Sequence, residues 1–292
     1  MNEESRWRYT LAQQIAPHYS ANPKVATVAV EGSVARGYAD RSSDLDLAVF
    51  WSEPPTAKER RDTFTRARGR QGSLASSQTA AGRRSEEFEV GGVTVDVRHL
   101  MVEATERLLA EVLSRGDSSL SKQQQLASLL SALPLSGPSV LAQWQSRAKA
   151  YPHALGVAMV REHLRFRPAW EQHLLAERND LLLLYDSLCS AQKHLLLVLL
   201  GLNRLYYPGW RWVDRLMAPL HLAPHHLAAR FKELFGIVSI DPLASVYQLH
   251  DLMEEAFRLV ETHLGEVDIT PARARFRGHR HPWGEHAPDG LL

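Results

Sequence analysis

The sequence has little of three things: cysteine, net charge and long apolar runs. Its 292 residues include a single cysteine, Cys189, so no internal disulfide can form. The 34 basic and 33 acidic residues give a formal charge of +1, which provides no overall attraction to nucleic acid. The longest apolar run, near residues 195–200, is far too short to cross a bilayer. The single cysteine excludes a scaffold held together by internal disulfides. The short apolar runs predict that the chain does not span a membrane, and the balanced charge argues against a nucleic-acid partner.

The first ten residues, MNEESRWRYT, are mostly polar or charged and contain no apolar core, so they do not resemble a secretion signal. We therefore expect a soluble, cytoplasmic protein. Hydrophobic residues make up 45% of the chain, which is enough for a proper core. The length predicts one large domain or two ordinary ones.

The most informative stretch is VATVAVEGSVARGYADRSSDLDLAVFW, residues 25–51. Its first six residues are small or β-branched and predict a buried strand, which Gly32 and Ser33 interrupt. A second apolar run then opens on Asp44 and Asp46. Residues two apart on a strand point to the same face, so these two carboxylates should project together. Adjacent carboxylates repel each other unless a cation lies between them, and Mg²⁺ prefers oxygen ligands.

The Gly-Ser pair offers a place for phosphate close to this metal site. Gly32 lets the backbone approach a ligand, and Ser33 adds a hydroxyl donor. The residues after them predict a short helix over 34–38, whose first N–H groups would favour a phosphate. Arg36 lies in the same segment and is a further candidate for contact with a nucleotide.

These motifs resemble those of the nucleotidyltransferase superfamily, which includes polymerase β and the aminoglycoside nucleotidyltransferases. The family pattern is Gly-Ser, a short gap, Asp-x-Asp, and later a third carboxylate on a neighbouring strand. In this chain Gly32-Ser33 and Asp44-Leu45-Asp46 match the first two parts, and Asp96 in VTVDV is the candidate for the third. The alternative interpretation is two surface strands with solvated aspartates at a turn.

The resemblance and the pattern of apolar residues together predict an α+β fold in three parts. A small mixed-sheet nucleotidyltransferase domain would cover residues 1–150, and an all-helical domain would cover residues 151–270. Residues 271–292 are basic and then rich in Pro and Gly, which predicts a flexible tail.

The resemblance also implies a reaction. A nucleoside monophosphate, by family default AMP from ATP, would move to an acceptor hydroxyl with release of pyrophosphate. Asp44 and Asp46 would bind Mg²⁺, and Gly32 and Ser33 would hold the β- and γ-phosphates. Asp96 would either share a second Mg²⁺ with Asp46 or act as the general base, and the sequence leaves both roles open.

A leucine-rich segment of the helical part contains a line of polar residues. Asn179, Asp186 and Lys193 are seven apart on a helix predicted over residues 170–204, so they lie nearly in line. One hypothesis places this line in the nucleotide cleft, with Lys193 on phosphate and Asn179 and Asp186 near base, ribose or acceptor. The other is an internal Asp186–Lys193 network that joins two helices.

The acceptor is the least determined part of this interpretation. The length and two-part layout resemble the antibiotic-modifying members, which adenylylate a hydroxyl of an aminoglycoside or lincosamide and so confer antibiotic resistance. The alternatives are a nucleotidyltransferase that modifies a protein partner, as the antitoxin-type members do, and a nucleotide-binding module without turnover. Apolar helical surfaces also leave room for an oligomer.

Overall fold

A computed structural model describes residues 1–60 and 84–278 of the chain. The chain divides into two compact units, Met1–Tyr151 and Pro152–Leu292. The first unit contains a mixed five-stranded sheet with helices, and the described part of the second contains helices only. The predicted α+β class is therefore confirmed.

The first unit opens with helix α1 (Glu3–Ser20) and then mixes strands with helices. Its strands are β1 (Val25–Val30), β2 (Leu45–Trp51), β3 (Arg84–Val90), β4 (Val93–Met101) and β5 (Leu133–Ser136). Its further helices are α2 (Gly32–Ala35), α3 (Val102–Leu109, continued by a π-helical turn over Ala110–Ser114), α4 (Leu120–Ser131) and α5 (Pro138–Lys149).

The strand order across the sheet is β3-β4-β2-β1-β5. Strands β2 and β4 run parallel, whereas the other neighbouring pairs are antiparallel. One face of the sheet packs against α1 in a core that includes Ile15, Leu47, Val49 and Val97. Because side chains alternate along a strand, the residues between these core positions point to the opposite face.

Buried polar groups on the core face hold β3 beside β4. Glu86 on β3 lies 3.2 Å from Nε2 of His99 on β4 and 3.2 Å from the Arg60 guanidinium. His99 in turn accepts a hydrogen bond from the Trp51 indole N–H at 3.0 Å. These side chains are all nearly fully buried, so the arrangement fixes the edge of the sheet where Asp96 lies.

The second unit is built from helices α6 (His153–His163), α7 (Ala169–Glu177), α8 (Leu181–Leu202), α9 (Val213–Met217), α10 (Leu227–Val238), α11 (Pro242–His263) and α12 (Thr270–Arg277). Helices α6 and α8 approach closely at Gly201, where an added Cβ would lie 2.7 Å from Met159 Cβ. Within the described residues, α8 is the one helix long and apolar enough to cross a membrane, and 13 of its 22 residues are buried. A core helix has the same composition.

Two features of the second unit differ from the sequence prediction. The helix predicted over residues 170–204 is broken into α7 and α8 by a turn at Asn179, whose φ is +53°. Where the sequence predicted the start of a flexible tail, the structure has α12, because Arg273 and Arg277 bind Glu254 and Phe276 is buried. Residues 279–292 of the predicted tail lie outside the described residues.

Candidate active site

Three carboxylates form a row across the sheet. Asp46 on β2 lies directly opposite Asp96 on β4, and Glu87 on β3 lies opposite Asp96 from the other side. Paired positions on neighbouring strands present their side chains on the same face, which here is the face away from α1. Asp44 is exposed and stands one residue before β2, at the same end of the sheet. The structure thus brings the predicted acidic residues together.

Crowding of negative charge in this row affects Asp96. Its pKa is raised above the usual range, first by burial and then by the charges of Glu87 and Asp44. Since like charges disfavour ionisation of a carboxyl group, a bound cation would relieve this cost. Glu87 was not selected from the sequence, because only its pairing with Asp96 distinguishes it from the other acidic residues of β3.

Gly32 lies directly against the carboxylate of Asp46. It has a φ of +65°, and an added Cβ would lie only 1.9 Å from Asp46 Oδ2. Helix α2 begins at this glycine, two residues earlier than predicted, and ends at Ala35. The N–H of the preceding residue, Glu31, donates to the Asp46 carbonyl oxygen at 2.9 Å. The turn that carries Ser33 is therefore fixed to the strand that carries Asp46.

Helix α1 braces the loop that leads into Asp44. Asn2 donates from its side-chain amide to the Ala39 carbonyl oxygen at 2.8 Å. The buried Arg8 guanidinium donates from Nε to the Ser43 carbonyl oxygen at 3.0 Å. These contacts determine where the chain enters β2, and so where Asp44 stands relative to Asp46.

An ion pair between a buried glutamate and a partly exposed arginine spans the sheet next to the carboxylates. Glu31, which is 2% exposed, pairs with the guanidinium of Arg98. Arg98 follows Asp96 by two residues and shares its face, so the pair connects the turn before Gly32 to the strand of Asp96. Burial lowers the pKa of Arg98 from its ordinary value, but a guanidinium is so strongly basic that it stays charged at neutral pH. Glu31 was not selected from the sequence. The one feature that could have identified it is its position, a charged residue directly after an apolar strand.

A cavity of about 370 Å³ adjoins this ion pair within the first unit. Glu31 and Arg98 line it together with Leu100 of β4, Thr105 of α3 and Gln125 of α4. Its volume is in the usual range for small-molecule sites. The carboxylate row thus has a partly apolar recess beside it.

The remaining predicted residues have other surroundings. Arg36 donates from Nε to Ser131 Oγ and from a terminal nitrogen to the Tyr38 hydroxyl, both at 3.2 Å. In the second unit, Asp186 and Lys193 are both exposed, and among the described residues no ion pair joins them. The hypothesis of an internal Asp186–Lys193 network is therefore wrong. Asn179 is in the turn before α8, so it does not share a helix with them.

Carboxylates are the donor type that Mg²⁺ takes, and this row offers them on one face of the sheet. Among residues 1–60 and 84–278, no three His, Cys, Asp or Glu side chains stand close enough to enclose a metal ion. The arrangement accordingly supplies part of a coordination shell, with Asp46 and Asp96 in register and Asp44 nearby. A site of this kind leaves positions for oxygen atoms of a substrate.

Residues 13–110 match the family model of the nucleotidyltransferase domain. The chain carries a nucleotidyltransferase domain. Gly32, Ser33 and the carboxylates of the first unit's row fall inside the matched range, and the predicted class of enzyme, a nucleotidyltransferase, is confirmed. Residues 119–213 match a second family, the domain of unknown function DUF4037, so this match spans the division between the two units.

Among solved structures, the chain is similar to a nucleotidyltransferase-like protein from Exiguobacterium sibiricum 255-15. The two are 11% identical, the match covers 88% of this chain and 78% of that chain, and the TM-score is 0.42. A search of curated proteins found no match. The assignment of the nucleotidyltransferase domain consequently rests on the family model for residues 13–110.

Proposed function

We propose that the protein transfers a nucleoside monophosphate, AMP from ATP, to a hydroxyl of a small-molecule acceptor such as an aminoglycoside-like antibiotic. Pyrophosphate is the leaving group. The observation that best supports this proposal is the register of Asp46 opposite Asp96, with Gly32 packed against the Asp46 carboxylate. Such an arrangement concentrates negative charge where a metal–triphosphate complex would neutralise it.

In this proposal Asp44 and Asp46 hold Mg²⁺, which supplies positive charge for the triphosphate when it is bound. Gly32 and Ser33 present backbone N–H and hydroxyl donors to the β- and γ-phosphates. Arg36 is proposed as a further phosphate contact, held beside the loop by its bonds to Ser131 and Tyr38. The protein is proposed to act in the cytoplasm.

Asp96 is proposed as the group that accepts the proton of the attacking hydroxyl. The acceptor oxygen forms a bond to the α-phosphorus, the bond to pyrophosphate breaks, and the hydroxyl proton passes to an Asp96 oxygen. A raised pKa supports this role, because a carboxylate with a higher pKa is a stronger base. The alternative, in which Asp96 binds a second Mg²⁺ together with Asp46, is tested below.

Three residues of the second unit are further proposed contacts for the substrates. Lys193 is exposed and is proposed to contact phosphate oxygens. Asp186, also exposed on α8, and Asn179, in the turn before it, are proposed to lie near base, ribose or acceptor. A Lys side chain suits a phosphate as a mobile point charge.

The acceptor class is supported by charge on strand β3. Glu87 and Glu89 are exposed at alternate positions of this strand, on the face that carries Asp96. A row of carboxylates favours an acceptor with amino groups, which are cationic at neutral pH. This favours an aminoglycoside-like acceptor over a neutral one, and a protein partner becomes an outcome of the test.

The test is pyrophosphate release from each of the four nucleoside triphosphates with Mg²⁺, with and without pooled aminoglycosides and lincosamides. We expect release that requires both ATP and an antibiotic and that is lost in an Asp44→Ala/Asp46→Ala variant. Asp96→Asn should abolish release while leaving Mg²⁺–ATP affinity nearly unchanged if Asp96 is the base. A loss of that affinity would instead identify Asp96 as a metal ligand.

Two results would redirect the proposal. Binding of Mg²⁺–ATP without release in any antibiotic pool would leave a protein acceptor as the next candidate. Release that persists in the Asp44→Ala/Asp46→Ala variant would contradict the proposed site altogether, because both residues would then be dispensable.

A further inference from the structure

The second unit contains a cavity of about 530 Å³, and all of its lining residues belong to that unit. Helices α7, α11 and α12 contribute its walls. The lining residues are Ala169, Trp170, His173, His250, Phe276, Arg277 and Gly278. Most of this surface is aromatic or apolar, which is typical of a site for an organic ring.

The aromatic side chains are arranged as flat walls. The rings of His173 and His250 are stacked, with centroids 5.2 Å apart and planes within 20°. Phe276 meets His250 edge-on at 5.2 Å, and Tyr247 meets His173 edge-on at 4.8 Å. Because each ring is held by another, the walls are already ordered before a ligand arrives.

A chain of hydrogen bonds determines which nitrogen of His250 carries the proton. Nε2 of His250 lies 2.8 Å from the Gln172 side-chain oxygen, and the Gln172 amide donates to Ser187 Oγ at 3.1 Å. An amide oxygen only accepts, so Nε2 must be the protonated nitrogen. Burial, together with the nearby His173, lowers the pKa of His250 to about 4, so the ring is neutral at pH 7.

The other ring nitrogen, Nδ1, is therefore an acceptor. No group among the described residues donates a hydrogen bond to it. Because Nε2 is already bonded to Gln172, Nδ1 is the ring acceptor that His250 can offer to a ligand in the cavity that it lines. A ligand with an N–H donor would gain a hydrogen bond by reaching it.

The charged groups at the edge of the cavity neutralise one another. Arg277 forms a double hydrogen bond with Glu254, at 2.7 Å from Nε and 2.7 Å from a terminal nitrogen. Arg273 pairs with the same Glu254 at 2.7 Å and with Glu261 at 3.6 Å. Two positive and two negative groups leave no net attraction for a charged ligand, which favours an uncharged one.

We propose that this cavity binds a neutral, planar heteroaromatic ring that donates an N–H to His250 Nδ1, as the exocyclic amino group of adenine does. The ring would lie against the aromatic side chain of His173. Stacking on an aromatic side chain favours any planar base, and the N–H contact adds selectivity for amino-bearing rings. This site is additional to the proposed transfer reaction and does not depend on it.

The test uses the full chain with the Asp44→Ala/Asp46→Ala substitutions, in EDTA, so that metal-dependent nucleotide binding is removed. Adenosine and N6,N6-dimethyladenosine are titrated by calorimetry. We expect adenosine to bind and the dimethyl analogue, which lacks the N–H donor, to bind at least about tenfold more weakly. Failure of the transfer reaction would not affect this readout, because no turnover is measured.

Substitutions separate the two contacts. His250→Phe keeps a ring in the wall but removes the acceptor, so the two nucleosides should bind equally and adenosine should weaken by about tenfold. His173→Leu removes a stacking wall and should weaken both nucleosides alike. His221→Phe, an exposed histidine outside the cavity, is the matched control and should change neither.

Three results would overturn the proposal. They are no adenosine binding by the correctly folded chain, equal binding of adenosine and its dimethyl analogue, and an unchanged preference in His250→Phe. Near-ultraviolet circular dichroism identifies a variant that has not folded, and His173→Leu then provides the independent measurement.

Discussion

Replacing Gly32 with alanine should inactivate the enzyme for a reason that can be separated from stability. The added Cβ would lie 1.9 Å from Asp46 Oδ2, whereas ordinary contact begins near 3.4 Å. The carboxylate must therefore move by about 1.5 Å to restore contact distance. Displacements of about 1 Å in a catalytic group reduce rates by roughly 100-fold, so we expect at least that loss of kcat/KM.

The matched control is Gly91→Ala in the β3–β4 hairpin. Gly91 has a φ of +61°, close to the +65° of Gly32, but nothing lies within 4 Å of its added Cβ. Alanine in the left-handed region costs roughly 1–2 kcal/mol, so both variants should lose that much free energy of unfolding. Only Gly32→Ala should lose activity, because only its Cβ reaches a carboxylate.

The assays are urea unfolding for stability, pyrophosphate release for activity and calorimetry with Mg²⁺–ATP for binding. Gly32→Ala should lose both release and Mg²⁺–ATP affinity. Activity of Gly32→Ala within about threefold of Gly91→Ala would refute the reasoning, since a displaced carboxylate costs far more. It would mean that Asp46 can move without consequence or is not used in the reaction.

Three further predictions concern ion pairs, pH and the second unit. Arg98→Ala should cost about 1–3 kcal/mol of unfolding free energy, because it leaves the buried Glu31 carboxylate without its partner. Arg107→Ala removes an exposed pair and should cost less than about 1 kcal/mol. Urea unfolding measures both. The pKa of His250 is about 4 in the folded protein, below its ordinary 6.5. The contribution of the neutral ring to stability is therefore present above pH 6.5 and is lost as the pH falls towards 4. Relative to His250→Phe, the wild type should lose up to roughly 3 kcal/mol of unfolding free energy between pH 7 and pH 4, measured by urea unfolding at each pH. Lys193→Ala should raise the KM for ATP with little change in Tm, while Lys232→Ala should change neither appreciably.

Each of these has a contradicting result. Equal costs for the two arginine variants would mean that burial does not decide the strength of the ion pair. A pH-independent difference between wild type and His250→Phe would mean that the histidine titrates normally in the folded protein. A fall in Tm without a change in KM would place Lys193 in a structural role.

The core of the site could be predicted because its parts are local in sequence. An apolar strand, a Gly-Ser break and Asp-x-Asp lie within residues 25–51, and side-chain alternation predicts that Asp44 and Asp46 project together. The hairpin with Asp96 is equally local, since Gly91 and Gly92 both take positive φ. Each of these inferences needs only neighbouring residues.

The break at Asn179 shows where this approach fails. Apolar and polar residues continue with helical spacing through residues 170–204, so the periodicity predicts one helix. The chain instead turns at Asn179, and the Asp180 side chain accepts a hydrogen bond from the Leu183 N–H at the start of α8. The exposure of Asp186 and Lys193 likewise depends on which neighbouring helices cover α8, which the spacing does not specify.

The sequence by itself determined the α+β class and the strand and turn containing Gly32, and it predicts a shared face for Asp44 and Asp46. These follow from backbone preferences and alternation, which act over a few residues. The tertiary structure alone decided that Asp96 pairs with Asp46, that Glu87 joins the row and that Glu31 binds Arg98. Such contacts depend on strand order and register, which are set by packing between segments far apart in the chain.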